Sequence, residues 1–106
     1  MEMNAPTPDC DSAWRALRSI LDPEFGINIV DLGLIYSVEC SAGRVDVMMT
    51  LTTPNCPAGA WLKEGAKQAL AAIPGATDVN VELIFDPAWN PAMLSEIARR
   101  ELGVTS

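Results

Sequence analysis

The sequence predicts a two-layer α+β domain in which a three-stranded mixed sheet carries helices on one face, with elements in the order αββαβα. Three observations lead there. Apolar residues alternate over three short segments and recur at helical spacing over three others. The length, 106 residues, holds one hydrophobic core and not two. With 49% hydrophobic and 20% charged residues, the composition is that of a folded globular chain and not of a disordered or fibrous one.

Residues 1–11 are polar and carry Pro6 and Pro8, so they read as a flexible lead-in to a domain over residues 12–106. Asp11 or Ser12 caps the first helix, whose stripe of Trp14, Leu17, Ile20 and Leu21 runs until Pro23 disfavours the helical conformation at Asp22. Leu34, Tyr36, Val38 and Cys40 then share one strand face, and Val45, Val47, Met49 and Leu51 share the next, with the turn at Ser41, Ala42 and Gly43. Pro57 suits a first helical position, and Leu62, Ala66, Ala69, Leu70 and Ile73 form a stripe that stops at Pro74 and Gly75. Val79, Val81, Leu83 and Phe85 alternate as a third strand. Leu94, Ile97, Ala98 and Leu102 make a last helix closed by Gly103. Since every strand has one apolar face, the helices belong on one side of the sheet. The second strand, second helix and third strand form a crossover unit, expected to be right-handed, which makes the sheet mixed. Trp14, Trp61 and Met93 fall on helices and are assigned to the core.

Charge and inventory exclude several classes of chemistry. A net charge of −7 gives no sequence-independent attraction to phosphate backbones or anionic lipid, so neither nucleic acid nor a membrane is expected as a partner. No apolar run approaches the roughly 20 residues of a membrane helix, and residues 1–9 show no basic and then apolar leader, which points to the cytoplasm. The chain has no histidine, which removes Ser-His-Asp triads, Cys-His pairs and His-containing zinc sites. No glycine-rich phosphate loop occurs. Cys10, Cys40 and Cys56 contain no C-x-x-C, so reduced thiols are expected. Cys40 reads as a packing residue and Cys10 as incidental.

Chemistry concentrates in three irregular stretches. Residues 22–33 hold Asp22, Glu24 and Asp31 on a structured loop, where carboxylates either bind a cation or move a proton, or else cap local backbone. Residues 50–59 carry Thr52, Thr53 and Cys56 where a strand runs out and a helix begins. With Pro57 at the first helical position, Cys56 is expected to be the N-cap, its sulfur near free amides that favour a thiolate, which is both nucleophile and soft metal ligand. The alternative for Cys56 is a small buried residue at a helix start. Residues 86–91 place Trp89 between two prolines, either as a partner surface or as a plug for the core.

At these positions the chain resembles a known family. Asp22-Pro23-Glu24, then residues 28–36 (Asn-Ile-Val-Asp-Leu-Gly-Leu-Ile-Tyr), residues 50–57 (Thr-Leu-Thr-Thr-Pro-Asn-Cys-Pro) and Asp86-Pro87-Ala88-Trp89 are similar to the motifs of the SufT/PaaD-like iron–sulfur assembly domains. Four motifs in order, spanning residues 13–103, make the resemblance specific, and single-domain members of the SufT kind are the nearest match. It implies a small α+β domain that helps assemble or deliver iron–sulfur clusters to apoproteins, with Cys56 as the reactive cysteine and Asp22, Glu24, Asp31, Thr52 and Thr53 grouped near it. It also implies iron or a labile cluster as what is bound, and other assembly proteins and apo iron–sulfur clients as partners. A cluster normally takes four protein ligands, so a chain offering Cys56 alone would share it with a partner or a second copy, as in a homodimer. The reading is an assembly or carrier factor rather than an enzyme. A Cys56-dependent transferase with Asp22 or Asp31 as base, and a passive adaptor docking through residues 86–91, are the alternatives.

Overall fold

A computed structural model describes residues 10–53 and 57–103. The elements follow the expected order: α1 (Cys10–Leu17), β1 (Ile35–Ser41), β2 (Arg44–Met49), α2 (Gly59–Ala71), β3 (Asp78–Leu83) and α3 (Glu96–Leu102), with a single 3₁₀ turn at Pro91–Met93 before α3. The sheet order is β1-β2-β3. Strands β1 and β2 pair antiparallel and β2 and β3 pair parallel, so the sheet is mixed, and α2 makes the crossover.

The β1–β2 hairpin closes through Ala42 and Gly43, both at positive φ (48° and 85°), between the paired residues Ser41 and Arg44. Positive φ at both central positions is the turn whose twist matches the strands, and it suits Gly43 better than Ala42. Along β2, Val45, Val47 and Met49 are buried while Arg44 and Met48 are exposed, the alternation of a strand with one covered face. The covered face forms one core with Ala13 and Leu17 of α1 and Leu62, Ala66 and Leu70 of α2. On the open face Arg44 meets Asp46 and Asp78. Its hydrogen bond to Asp46, and then the two negative charges, raise the Arg44 pKa above its usual value.

Three details depart from the sequence pattern. The first helix stops at Leu17 and not at Asp22, because the chain turns at Ser19, whose hydroxyl donates to Ala16 O (2.6 Å), and Leu21 then pairs with Asn28 in an isolated antiparallel bridge. In β1 the register shifts between Ile35 and Ser37, leaving Tyr36 as the extra residue of a bulge. Ile35 thereby joins Val38 and Cys40 against the core, and Tyr36 leaves the face that strict alternation assigns it. Trp61 is 60% exposed and Ile97 62% exposed, so Trp61 is not the core residue its helical position suggests.

The cysteine expectation is also corrected. Cys10 is the first residue of α1, not part of a lead-in, and it is joined to Cys40 of β1 by a disulfide. Sequence spacing carries no trace of this pair, which exists only because α1 lies across the inner side of an edge strand.

Candidate functional site

Three irregular segments meet at the end of the sheet where β2 runs out. The 22–33 loop is tied to itself by Asp22 N to Ile27 O (2.9 Å), Gly26 N to Asp22 O (2.8 Å) and Leu32 N to Asn28 O (3.0 Å). It is tied to the turn that follows α1 by Ile29 N to Ile20 O (3.0 Å). Ile27, Ile29 and Leu32 are buried, which explains why a loop of this kind is so apolar. Its exit residue Leu34 accepts from Thr50 N (2.8 Å), so the lead into β1 lies against the end of β2.

The 86–91 loop closes over the same place. Trp89 Nε1 donates to Leu32 O (2.6 Å), Tyr36 Oη donates to Pro87 O (2.7 Å), and Ser95 N donates to Asp31 O (2.8 Å). Trp89 also packs against the core, so it plugs this end of the domain and pins the loop at once. The bulge that displaces Tyr36 is what lets its hydroxyl reach Pro87. Gly33, at φ 81°, completes the fit, since a Cβ there would collide with the carbonyl of Met93.

The carboxylates are held differently. Asp22 is only 1% exposed and its Oδ1 accepts from Glu24 N (2.8 Å), an Asx turn that fixes the first corner of the loop. Glu24 itself is exposed. Asp31 Oδ2 accepts from Asn28 Nδ2 (2.7 Å) while Asn28 Oδ1 accepts from Asp31 N (2.9 Å), a reciprocal pair that holds the half-buried carboxylate in place. Asp22 therefore does the local backbone work that its position suggests, whereas the Asp31 carboxylate is held by the Asn28 side chain. Asn28 and Asn90, whose side chain caps the 3₁₀ turn, are structural residues that the site reading passed over. Their signal was the ordinary turn preference of asparagine.

Beyond Thr50, Thr52 is half-buried and Thr53 exposed. Cys56 lies outside the described residues. Helix α2 takes Ala58 as its N-cap, with no side-chain cap bond, and begins at Gly59, where a Cβ would meet Leu51 Cδ1 at 2.7 Å. The expected cap at Cys56 with Pro57 as first helical residue is thus corrected: the helix starts two residues later, at Gly59, whose missing side chain leaves room for Leu51. Among the described residues no hydrogen bond links Asp22 or Glu24 to Thr52 or Thr53, and no three Cys, Asp or Glu side chains gather to hold a metal ion. Two open cavities lie instead along α1, one of about 470 Å³ between Asp11, Trp14, Arg15, Arg18 and Val30, the other between α1 and the end of α2. None of the five expected site residues that are described, Asp22, Glu24, Asp31, Thr52 and Thr53, lines either cavity.

A family model described as "Iron-sulfur cluster assembly protein" matches residues 3–83. The chain belongs to this family. It is 47% identical over 90 residues to a protein of Porphyromonas gingivalis named as an Fe-S protein maturation auxiliary factor, covering 84% of this chain and 86% of that one. It is 41% identical over 87 residues to the Fe-S protein maturation auxiliary factor SufT of Staphylococcus aureus, covering 81% and 99%. A domain of unknown function from Bacillus anthracis has the same fold, with a TM-score of 0.84 at 28% identity over 90% of this chain and 92% of its own. The α+β fold and the SufT-type resemblance drawn from the four motifs agree with these likenesses. No helix among the described residues is long and apolar enough to cross a membrane.

Proposed function

We propose that this chain is a maturation factor of the bacterial cytoplasm that helps pass iron–sulfur clusters to apoproteins, with Cys56 as the residue that touches the cargo. The observation that carries the reading is the family match over residues 3–83, in which relatives of nearly the same length are named as iron–sulfur maturation factors. The geometry supports it in one respect: loops 22–33 and 86–91 are joined by the Trp89–Leu32 hydrogen bond, and Leu34, just after the first loop, accepts from Thr50 at the end of β2, from which the chain continues through residues 51–53 toward Cys56. A single cysteine is suited to lending one ligand to a cluster and releasing it. Asp31 and Asp22 are fixed by Asn28 and by the backbone of Glu24, so the 22–33 loop is held in one conformation. Glu24, Thr52 and Thr53 offer oxygen groups to solvent or to a client. The partners on this reading are cluster-assembly proteins and apo clients.

The cluster is cargo, and one thiolate holds one of about four ligand positions. Any cluster reconstituted on the protein is therefore shared between two copies or with a partner. Anaerobic reconstitution with iron and sulfide, followed by iron content, visible spectrum and size measurement, tests this. Absorbance that travels with a dimer is expected, whereas a fully occupied cluster on a strict monomer contradicts the shared-ligand reading.

With Ala58 as the N-cap of α2, the helix-cap argument for a Cys56 thiolate falls for a transferase and a cluster carrier alike, so the family match is what supports Cys56 as the cargo residue. A transferase would need Asp22 or Asp31 as its base, since the chain has no histidine, and both carboxylates already accept local hydrogen bonds.

A further inference from the structure

We propose that Cys10 and Cys40 form a reversible redox clamp between α1 and β1, closed by exchange with a low-molecular-weight disulfide such as oxidised glutathione. The disulfide joins the first residue of α1 to a residue near the end of an edge strand, with Cα atoms 5.8 Å apart, within the span that a disulfide bridges without backbone movement. Both cysteines are half-buried, so a small thiol can reach them.

The clamp sits where α1 needs it. Helix α1 has eight residues, well below the about 12–15 at which an isolated helix becomes even marginally stable. It is held to the core by Ala13 and Leu17, each fully buried. Cys10, Ala13 and Leu17 fall at i, i+3 and i+7, one face of the helix, so the disulfide adds a third anchor at the end that packing secures least. On the other side Cys40 pairs in register with Val45 and shares the core side of β1 with Val38. The 30-residue separation encloses the whole 22–33 loop, whose Asp22, Glu24 and Asp31 belong to the candidate site. Closing the clamp therefore restricts the segment that carries those carboxylates.

The chemistry balances. One protein thiolate attacks a sulfur of the small disulfide RSSR, breaking its S–S bond, forming a mixed disulfide and releasing RS⁻, which takes up a proton. The second protein thiolate attacks the protein-side sulfur, forms the Cys10–Cys40 bond and releases the second RS⁻. The protein dithiol loses two electrons and RSSR gains them. Reversal by excess RSH reopens the clamp. That the clamp opens and closes rests on the thiol-rich cytoplasm proposed above, where a permanent structural disulfide is unusual. The bond itself does not rest on the iron–sulfur reading.

The test uses the full chain, purified without iron, in glutathione buffers from fully reduced to fully oxidised, with free thiols alkylated and disulfide-linked peptides mapped by mass spectrometry. Excess oxidised glutathione is expected to give a Cys10–Cys40 linked peptide, with Cys56 outside it, as the alkylated thiol or as a mixed disulfide with one glutathione. The thermal midpoint is expected to rise by about 10 °C, from the restricted unfolded chain. Excess reduced glutathione restores three alkylated cysteines. Cys10→Ser and Cys40→Ser each abolish the rise, and Cys56→Ser keeps it. Three free thiols in oxidised buffer, a linked peptide containing Cys56, or a clamp that stays shut in excess reduced glutathione each overturn the proposal. If the serine variants fail to fold, the wild-type thiol map still decides. Since no client or cluster enters the measurement, its failure leaves the maturation reading untouched, and failure of that reading leaves the thiol map unchanged.

Discussion

Thr50 carries the one buried side-chain N or O atom that lacks a hydrogen-bond partner among the described residues. A buried hydroxyl without a partner loses its hydration for no return. Thr50→Val keeps the branched shape and removes the oxygen, and urea unfolding should show a gain of about 1 kcal/mol. A loss of similar size would mean that the hydroxyl has a partner in the folded protein. Asp31 poses the complementary question, because its carboxylate is bonded to Asn28 while the residue is only half-buried. Asp31→Asn keeps the size and removes the charge, so the variant should fold and should mature clients poorly. Wild-type maturation by Asp31→Asn would reduce the acid to a structural clip and shrink the site to Cys56. The loop-fixing role of Asp22 and Asp31 was legible in the sequence, since aspartates beside Pro, Gly and Asn are common turn-fixing residues. What was not legible was burial: nothing local distinguishes Asp22, which is shut away, from Glu24 two positions on, which is exposed.

At the scale of elements, the apolar periodicities located every helix and strand, and the misses sit where a long-range contact overrides a local pattern. The stripe Trp14, Leu17, Ile20, Leu21 is helical in spacing, yet Leu21 is drawn into a bridge with Asn28 and Ile29 N bonds Ile20 O, ending α1 at Leu17. The bulge at Tyr36 answers to the 86–91 loop some 50 residues away through the Tyr36–Pro87 hydrogen bond. A period of two cannot foresee it. The hairpin turn was legible as to place but not as to strain, because only the backbone reveals Ala42 at φ 48°. Ala42→Asn supplies the residue that tolerates this conformation ahead of glycine, and thermal unfolding should shift upward by a few degrees, about 0.5–1 kcal/mol. An unchanged or lower midpoint would show that the turn is not strained by alanine.

For the molecule as a whole, the missing histidine and the net charge of −7 narrowed the chemistry before any fold was considered, and four motifs in order named the family. The relation of Cys10 to Cys40 escaped, because a disulfide between a helix and a strand depends on how layers stack and leaves no spacing signature. The proposed function hangs on Cys56, and substituting it tests the account most directly. Cys56→Ala is compared with wild type for its ability to restore an iron–sulfur dehydratase in cells lacking the native factor, with circular dichroism and the thermal midpoint as controls. The account predicts that the fold and its midpoint persist while client activity falls to the level of cells without the factor. Full client activity with Cys56→Ala would contradict it and leave the domain a passive adaptor.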